Sequence, residues 1–266
     1  MKPLQGVDTH AHVFSATAPP VAGARYRPAY AATLEDWRSR WAAAGITHGV
    51  VVQVSFYGTD NTEVLAAVAS DPSRLRGVAI VEPSIDDREL ARLDGGGIRA
   101  IRLNLKSVAD YAIYGAGAWK ALYRCIHARG WHVEVYVDVG RLPEIAPAFA
   151  DTPVGVVFDH FGNPGATPEA VDRTFASVAA LAKEREVFAK LSAPYRLGGA
   201  NPAGLAARWL EAVGPRNLLW GSDWPWTNFE TVQDYGRLRA MLDDWAPATL
   251  RPAILWDNAA RLYGFD

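Results

Sequence analysis

The sequence predicts a (β/α)8 barrel, and three observations carry the prediction. The chain is 266 residues long, close to the ~250 typical of such barrels. It contains eight short apolar runs rich in Val, Ile and Leu, and an amphipathic helical pattern follows each of them. Near-continuous apolar strands signal a parallel sheet buried on both faces, and the intervening helices supply its cover. An open doubly wound sheet is the alternative arrangement of the same units. Its nucleotide-binding version has no support, because no GxGxxG follows the first strand. Residues 1–266 are expected to form a single domain, with no linker composition anywhere along the chain.

Taken in order, the units are "GVDTH" with "TLEDWRSRWAAAG", "GVVVQVS" with "TEVLAAVAS", "LRGVAIVEP" with "DDRELARLD", and "GIRAIRLN" with "GAWKALYRCIHARG". The second half continues with "WHVEVYVD" and "RLPEIAPAFA", "VGVVFDH" and "PEAVDRTFASVAALAKE", "EVFAKLS" and "NPAGLAARWLEAVG", and "NLLWGSD" and "ETVQDYGRLRAMLDDW". Thr33 and Asp36 have the spacing of a capping box, and Gly45, Gly130 and Gly214 fall where helices should stop. The Ala- and Pro-rich stretch "SATAPPVAGARYRPAYAA" is too irregular for either element. It follows strand one on the face where barrel enzymes carry their active-site loops, the place for a lid.

Composition narrows the function. Half the residues are hydrophobic and the formal net charge is −2, so there is no basic footprint for nucleic acid. The start "MKPLQGVDTH" lacks a signal-peptide core, and no apolar run reaches the ~20 residues of a membrane helix. The only cysteine, Cys125, cannot form an internal disulfide and is expected to be a buried structural thiol. The expectation is a soluble cytoplasmic protein, either a monomer or a small homo-oligomer.

Catalytic groups of such barrels collect at the C-terminal ends of the strands, and most of the histidines fail that test. His48 precedes strand two, His127 lies within a helix and His132 starts strand five, so structural roles are expected for all three. His10 and His12 end strand one, two residues apart and therefore on one side of it. His160 ends strand six and Asp223 ends strand eight. These four groups converging on one barrel mouth form the candidate catalytic set. Asp159 is expected to point to the opposite side of its strand from His160, and Asp138 to be structural. Asp8 sits deeper in strand one, facing inward in an orienting role.

The motifs "VDTHAHVF", "RAIRLN", "GWHVEVYV", "VVFDHFGNP", "AKLSAPYR" and "LLWGSDWPWTN", in this order, resemble the amidohydrolase superfamily, most closely its 2-pyrone-4,6-dicarboxylate lactonase type. The resemblance runs from strand one to the terminal "DNAARLYGFD". Metal-dependent members carry a further histidine at the end of strand five, where this chain reads "HVEVYVDVG" and has Tyr136 nearby. The resemblance therefore implies a lactonase with no metal or other cofactor, although His10, His12 and Asp223 remain possible ligands, with His160 a fourth. It implies that Asp223 shuttles the proton of the attacking water, and that His10, His12 and His160 hydrogen-bond the developing oxyanion.

Arg102 and Arg196 match positions that bind substrate carboxylates, and Tyr26, Ser55 and Tyr136 match further polar contacts. One departure stands out. The lactonases carry another arginine six residues beyond the one matching Arg102, and this chain has Val108 there, with Lys106 as the nearest cation. A point charge does not reproduce a guanidinium fork. The expected substrate is a small anionic lactone. A sugar lactonase, a metal-dependent decarboxylase of the same superfamily and a non-enzymatic binding barrel are the alternatives.

Overall fold

The computed structural model describes residues 5–266, so the first four residues, including the start of the segment read above for a leader, lie outside it. Eight parallel strands form one sheet in sequence order: β1 (Val7–Ala11), β2 (His48–Val52), β3 (Leu75–Ala79), β4 (Ile98–Asn104), β5 (His132–Tyr136), β6 (Val156–Phe158), β7 (Val187–Leu191) and β8 (Leu218–Trp220). The sheet curls until its outer strands meet. Asp223 N–H donates to the His10 carbonyl at 2.8 Å and His12 N–H to the Trp224 carbonyl at 2.8 Å, which closes the predicted (β/α)8 barrel.

Alternation along each strand sorts side chains between two cores. Val7, Val50, Val52, Val78, Ala100, Val157, Phe188 and Leu219 fill the lower barrel interior, and Tyr263 and Phe265 of the terminal segment plug it from below. The opposite faces pack against the helices through Trp37, Leu93, Leu122, Ile126, Phe175, Val178 and Trp209, among others. Burial of an aliphatic or aromatic side chain contributes roughly 1.5–3 kcal/mol, so these layers hold the frame on which the upper end is built.

The predicted boundaries hold. Thr33 Oγ1 accepts the Asp36 N–H at 3.1 Å, and Gly45, Gly130 and Gly214 take φ values of 70°, 74° and 78°. His48 packs its ring against Trp256 and Phe265, and His132 packs against Tyr263, both away from the barrel mouth. Cys125 corrects an expectation, because it is exposed. The helix Gly117–His127 buries Leu122, Tyr123 and Ile126, and at ~100° per residue Cys125 falls well to one side of that stripe.

Candidate active site

Backbone turns at three successive strand ends aim the polar groups. His160 and Phe161 (φ 52° and 54°), Ala193 (φ 47°) and Asp223 (φ 58°) are all left-handed without being glycine, a conformation that costs energy and clusters at functional sites. On β1 a register shift between Asp8 and Ala11 swings His10 into the barrel. Gly221 makes room for it, since a Cβ there would stand 2.7 Å from the His10 Cβ. The ring centroids of His10 and His12 lie 5.0 Å apart, and those of His10 and His160 4.8 Å apart.

All four candidate catalytic groups converge. Asp223 Oδ1 faces Nε2 of His160, His10 and His12 at 3.5, 3.6 and 3.8 Å. Its other oxygen, Oδ2, accepts the Tyr195 hydroxyl at 2.7 Å and Arg196 Nε at 2.7 Å. Burial pushes this carboxyl up, but the charges around it, led by the Arg196 guanidinium at 2.7 Å, hold it well below the usual carboxylate range. Burial, assisted by the Arg102 charge, pushes His12 well down, and burial lowers His160 to about 3. Asp223 is therefore ionised and both of these rings are neutral at pH 7.

The ring partners fix which nitrogen can do what. His12 Nδ1 contacts the Val52 carbonyl at 2.7 Å, and a carbonyl only accepts, so the neutral ring keeps its proton on Nδ1 and turns a lone pair on Nε2 toward the pocket. That arrangement departs from the expectation that all three rings donate. His10 Nδ1 meets Lys190 Nζ at 3.1 Å, and an ammonium only donates, so this contact goes with a ring proton on Nε2, facing Asp223, whereas the Asp159 carboxylate 3.2 Å from the same nitrogen would accept a proton there. His160 Nδ1 pairs with the Ser192 hydroxyl at 2.8 Å.

Beneath the histidines lies a buried chain of charges that sequence reading missed. The Tyr263 hydroxyl donates to Glu134 Oε1 at 2.6 Å, the Lys190 ammonium donates to Glu134 Oε2, and Lys190 also lies 3.3 Å from Asp159 Oδ1. Asp159 in turn contacts His10 Nδ1 at 3.2 Å and Arg102 Nε at 3.3 Å. The expectation for Asp159 is thus corrected. Val157 points into the barrel, so Asp159, two residues on, does too, while His160 reaches the same space only through its left-handed turn. Asp8 is corrected in the opposite sense, because the irregularity on β1 leaves it facing the helices. There it accepts from Trp37 Nε1, Tyr235 OH and both the N–H and the hydroxyl of Ser222, at 2.6–2.9 Å, and so braces the turn that carries Asp223.

The pocket above these groups encloses about 270 Å³, the scale of a single small ring. Arg102, Arg196, Tyr136, Tyr26 and Lys106 all line it, with His12, His160 and Asp223 at its base. Ser55 is not among the lining residues; its hydroxyl stands 3.5 Å from Arg25 Nη2. Lys106 is tied at 2.7 Å to Asp138, which also accepts the Ser107 N–H at 2.7 Å, so Asp138 has a structural partner set. Val108 packs against the core and presents no charge. The stretch after β1 covers the mouth, anchored by Val21 N–H on the Phe56 carbonyl at 2.8 Å and Tyr30 OH on Glu230 Oε1 at 2.6 Å.

Residues 7–265 match the family model described as Amidohydrolase. The chain belongs to the amidohydrolase family. A 2-pyrone-4,6-dicarboxylate hydrolase of Comamonas testosteroni is 33% identical to it, across 98% of this chain and 90% of that protein. A 4-sulfomuconolactone hydrolase of Rhizobium radiobacter is 27% identical, across 97% and 89%. Among solved structures, a probable 2-pyrone-4,6-dicarboxylic acid hydrolase from Acinetobacter baumannii with citric acid bound superposes with a TM-score of 0.89 at 31% identity, covering 98% of this chain and 99% of that one. No helix among the described residues of this amidohydrolase is long and apolar enough to cross a membrane.

The donor set of this amidohydrolase also fits a divalent ion. His10, His12 and Asp223 offer ligand atoms within 4.8 Å of one another, and His10 Nε2 is buried without a hydrogen-bond partner. A ligating His10 would carry its proton on Nδ1, toward Asp159, whereas a hydrogen-bonding His10 carries it on Nε2 and receives Lys190. Both neighbours are present, so the alternatives differ in one ring proton.

Proposed function

We propose that this amidohydrolase opens a carboxylated lactone by hydrolysis without requiring a metal. The observation that carries the reading is the ionised Asp223, with one oxygen aimed at three imidazoles and the other held by Arg196 and Tyr195. Water held between Asp223 Oδ1 and the lone pair of His12 Nε2 gives its proton to Asp223 as its oxygen attacks the lactone carbonyl carbon. Negative charge builds on the carbonyl oxygen beside His160 at the base of the pocket, with the fully buried His10 Nε2 behind it, 3.6 Å from Asp223 Oδ1. The ring C–O bond then breaks, and Asp223 returns the proton to the leaving oxygen. A carboxylate this acidic is a weak base, which suffices when the leaving group is an easily expelled enol. An anionic substrate that engages Arg196 also loosens its hold on Asp223 Oδ2 and makes the carboxylate more basic. A divalent ion held by His10, His12 and Asp223 would polarise the same carbonyl. Lys190 at His10 Nδ1 and Tyr136 at the end of β5 favour the metal-free arrangement.

Relatives that act on a pyrone dicarboxylate and a sulfonated muconolactone support an anionic substrate. The test compares a carboxylated pyrone with its neutral ester in the wild type and in Arg102→Met, chosen because Asp159 keeps Lys190 when Arg102 is lost, whereas Arg196→Met strips the proposed base Asp223 of its ion pair. The substitution should cost about 2–5 kcal/mol in kcat/KM on the anion and far less on the ester. Equal losses on both compounds, or a wild-type preference for the ester, would return the arginines to structural roles and favour a sugar lactone.

Protein stripped with a chelator and checked for zinc and manganese should keep its rate. Activity that disappears on stripping and returns in proportion to added metal would make His10, His12 and Asp223 metal ligands.

A further inference from the structure

We propose that Ser192 is a positioning residue for the ring-opening step: its hydroxyl donates to His160 Nδ1, keeps the ring proton on Nε2 and so makes His160 the N–H that receives the developing oxyanion. The inference rests on the lactone-hydrolase reading above. Ser192 is the first residue past β7 and is 1% exposed. Counting by twos from Phe188 through Lys190 turns it into the barrel, and the left-handed Ala193 bends the chain directly after it. Among the described residues its hydroxyl has two neighbours, His160 Nδ1 at 2.8 Å and the Lys190 carbonyl at 3.5 Å. The second distance is too long for a good O–H···O bond. A neutral imidazole carries one proton. If that proton sat on Nδ1, Ser192 would accept it and leave its own hydrogen buried with only the distant carbonyl. With the proton on Nε2, the hydroxyl donates to Nδ1 over a normal distance and both groups are satisfied. The far side of the ring agrees, because Nε2 faces an acceptor, the Asp223 carboxylate, at 3.5 Å.

The placement of the three imidazoles gives this proton its importance. His12 turns a lone pair toward the pocket and His10 is not among the lining residues, whereas His160 is. His160 Nε2–H is therefore the imidazole donor that the pocket presents. Asp223 helps to hold that proton only while it is charged, and once it has taken the proton of the attacking water, Ser192 is the group that still fixes the tautomer. A hydroxyl donating to Nδ1 also draws electron density from the ring and strengthens Nε2–H as a donor, each bond polarising the next. The ring itself is held in place by other contacts, with the His10 and Tyr136 rings flanking it at centroid distances of 4.8 and 5.1 Å. Ser192 thus sets where the proton sits rather than where the ring sits.

The test reads the tautomer and the rate separately. Nitrogen NMR on the full chain, isotope-labelled at histidine and with the His160 signals assigned by their loss in His160→Gln, should show Nδ1 unprotonated and Nε2 protonated. Asp223→Ala removes the carboxylate that faces Nε2 and should keep this pattern, and adding Ser192→Ala to it should mix the two tautomers. With Asp223 intact, Ser192→Ala should lower kcat on a carboxylated pyrone by about ten- to a hundredfold and leave KM within about threefold, and Ser192→Cys, which keeps a weak donor, should recover part of the loss. A wild-type ring protonated on Nδ1 or on both nitrogens, a tautomer indifferent to Ser192 in the Asp223→Ala background, or a Ser192→Ala protein with normal kcat would each overturn the inference. The tautomer is observed without turnover, so the two readings fail separately. A Ser192-dependent tautomer in a protein that opens no lactone would sink the lactonase reading and keep the hold of Ser192 on the ring. Lactone turnover with a tautomer indifferent to Ser192 would do the reverse.

Discussion

Asp223→Asn should keep the barrel and lose at least three orders of magnitude in kcat on the lactone substrate, about 4 kcal/mol of transition-state stabilisation. The amide keeps the size of the carboxylate and can still accept from Tyr195 and Arg196, which hold Oδ2 at 2.7 Å each. What it lacks is a place for the water's proton. The backbone N–H of residue 223, bonded to the His10 carbonyl, is untouched by the change, so barrel closure should survive. Turnover and the melting curve are measured on the same preparation. A folded Asp223→Asn protein with near-normal kcat would remove Asp223 from proton transfer and leave it as a brace for Arg196.

Lys190→Met is expected to destabilise the fold by about 3–5 kcal/mol, the usual consequence of leaving buried charge without its partner. Lys190 is fully buried, and its ammonium serves Glu134, Asp159 and His10 at once. Burial pushes Glu134 upward, and Lys190 is the main influence that brings it below the ordinary glutamate range. Methionine fills the space and supplies no charge, so two carboxylates face the interior with Tyr263, His132, Arg102 and His10 but no ammonium to answer them. Urea unfolding gives the loss, and Lys190→Met combined with Glu134→Gln should regain part of it. A loss under about 1 kcal/mol, or no recovery in the double variant, would mean that the chain of charges is not held together by this lysine.

The sequence signals that worked and those that failed have distinct physical origins. His10, His12, His160 and Asp223 were legible because each sits at the end of an apolar run, where the barrel architecture gives position a meaning. Lys190, Glu134 and Asp159 were missed, although a signal was there. Strands buried on both faces should hold no charge, yet "HVEVY" and "VFAKL" each carry one. Period-two counting from Phe188 puts Lys190 inside, and counting from Val157 does the same for Asp159. Asp8 ran the other way because a register shift cannot be read from residue types. Arg25 and Tyr195 lie on irregular backbone, where no periodicity says which way a side chain points. The proton on His12 Nδ1 was beyond sequence altogether, since it depends on a carbonyl 40 residues away.

The seam where the barrel closes has a further consequence. His10 and His12 come from the first strand and Asp223 from just past the last, and they are joined by contacts more than 200 residues apart in the chain. On the proposed mechanism nothing synthesised before the eighth strand supplies the base, so a growing chain that holds the imidazoles is expected to stay inert. Activity is then expected only once the final turn docks onto the first strand, the slowest kind of contact for a polymer to make. Under that reading, catalytic competence doubles as a certificate that the two ends of the chain have met.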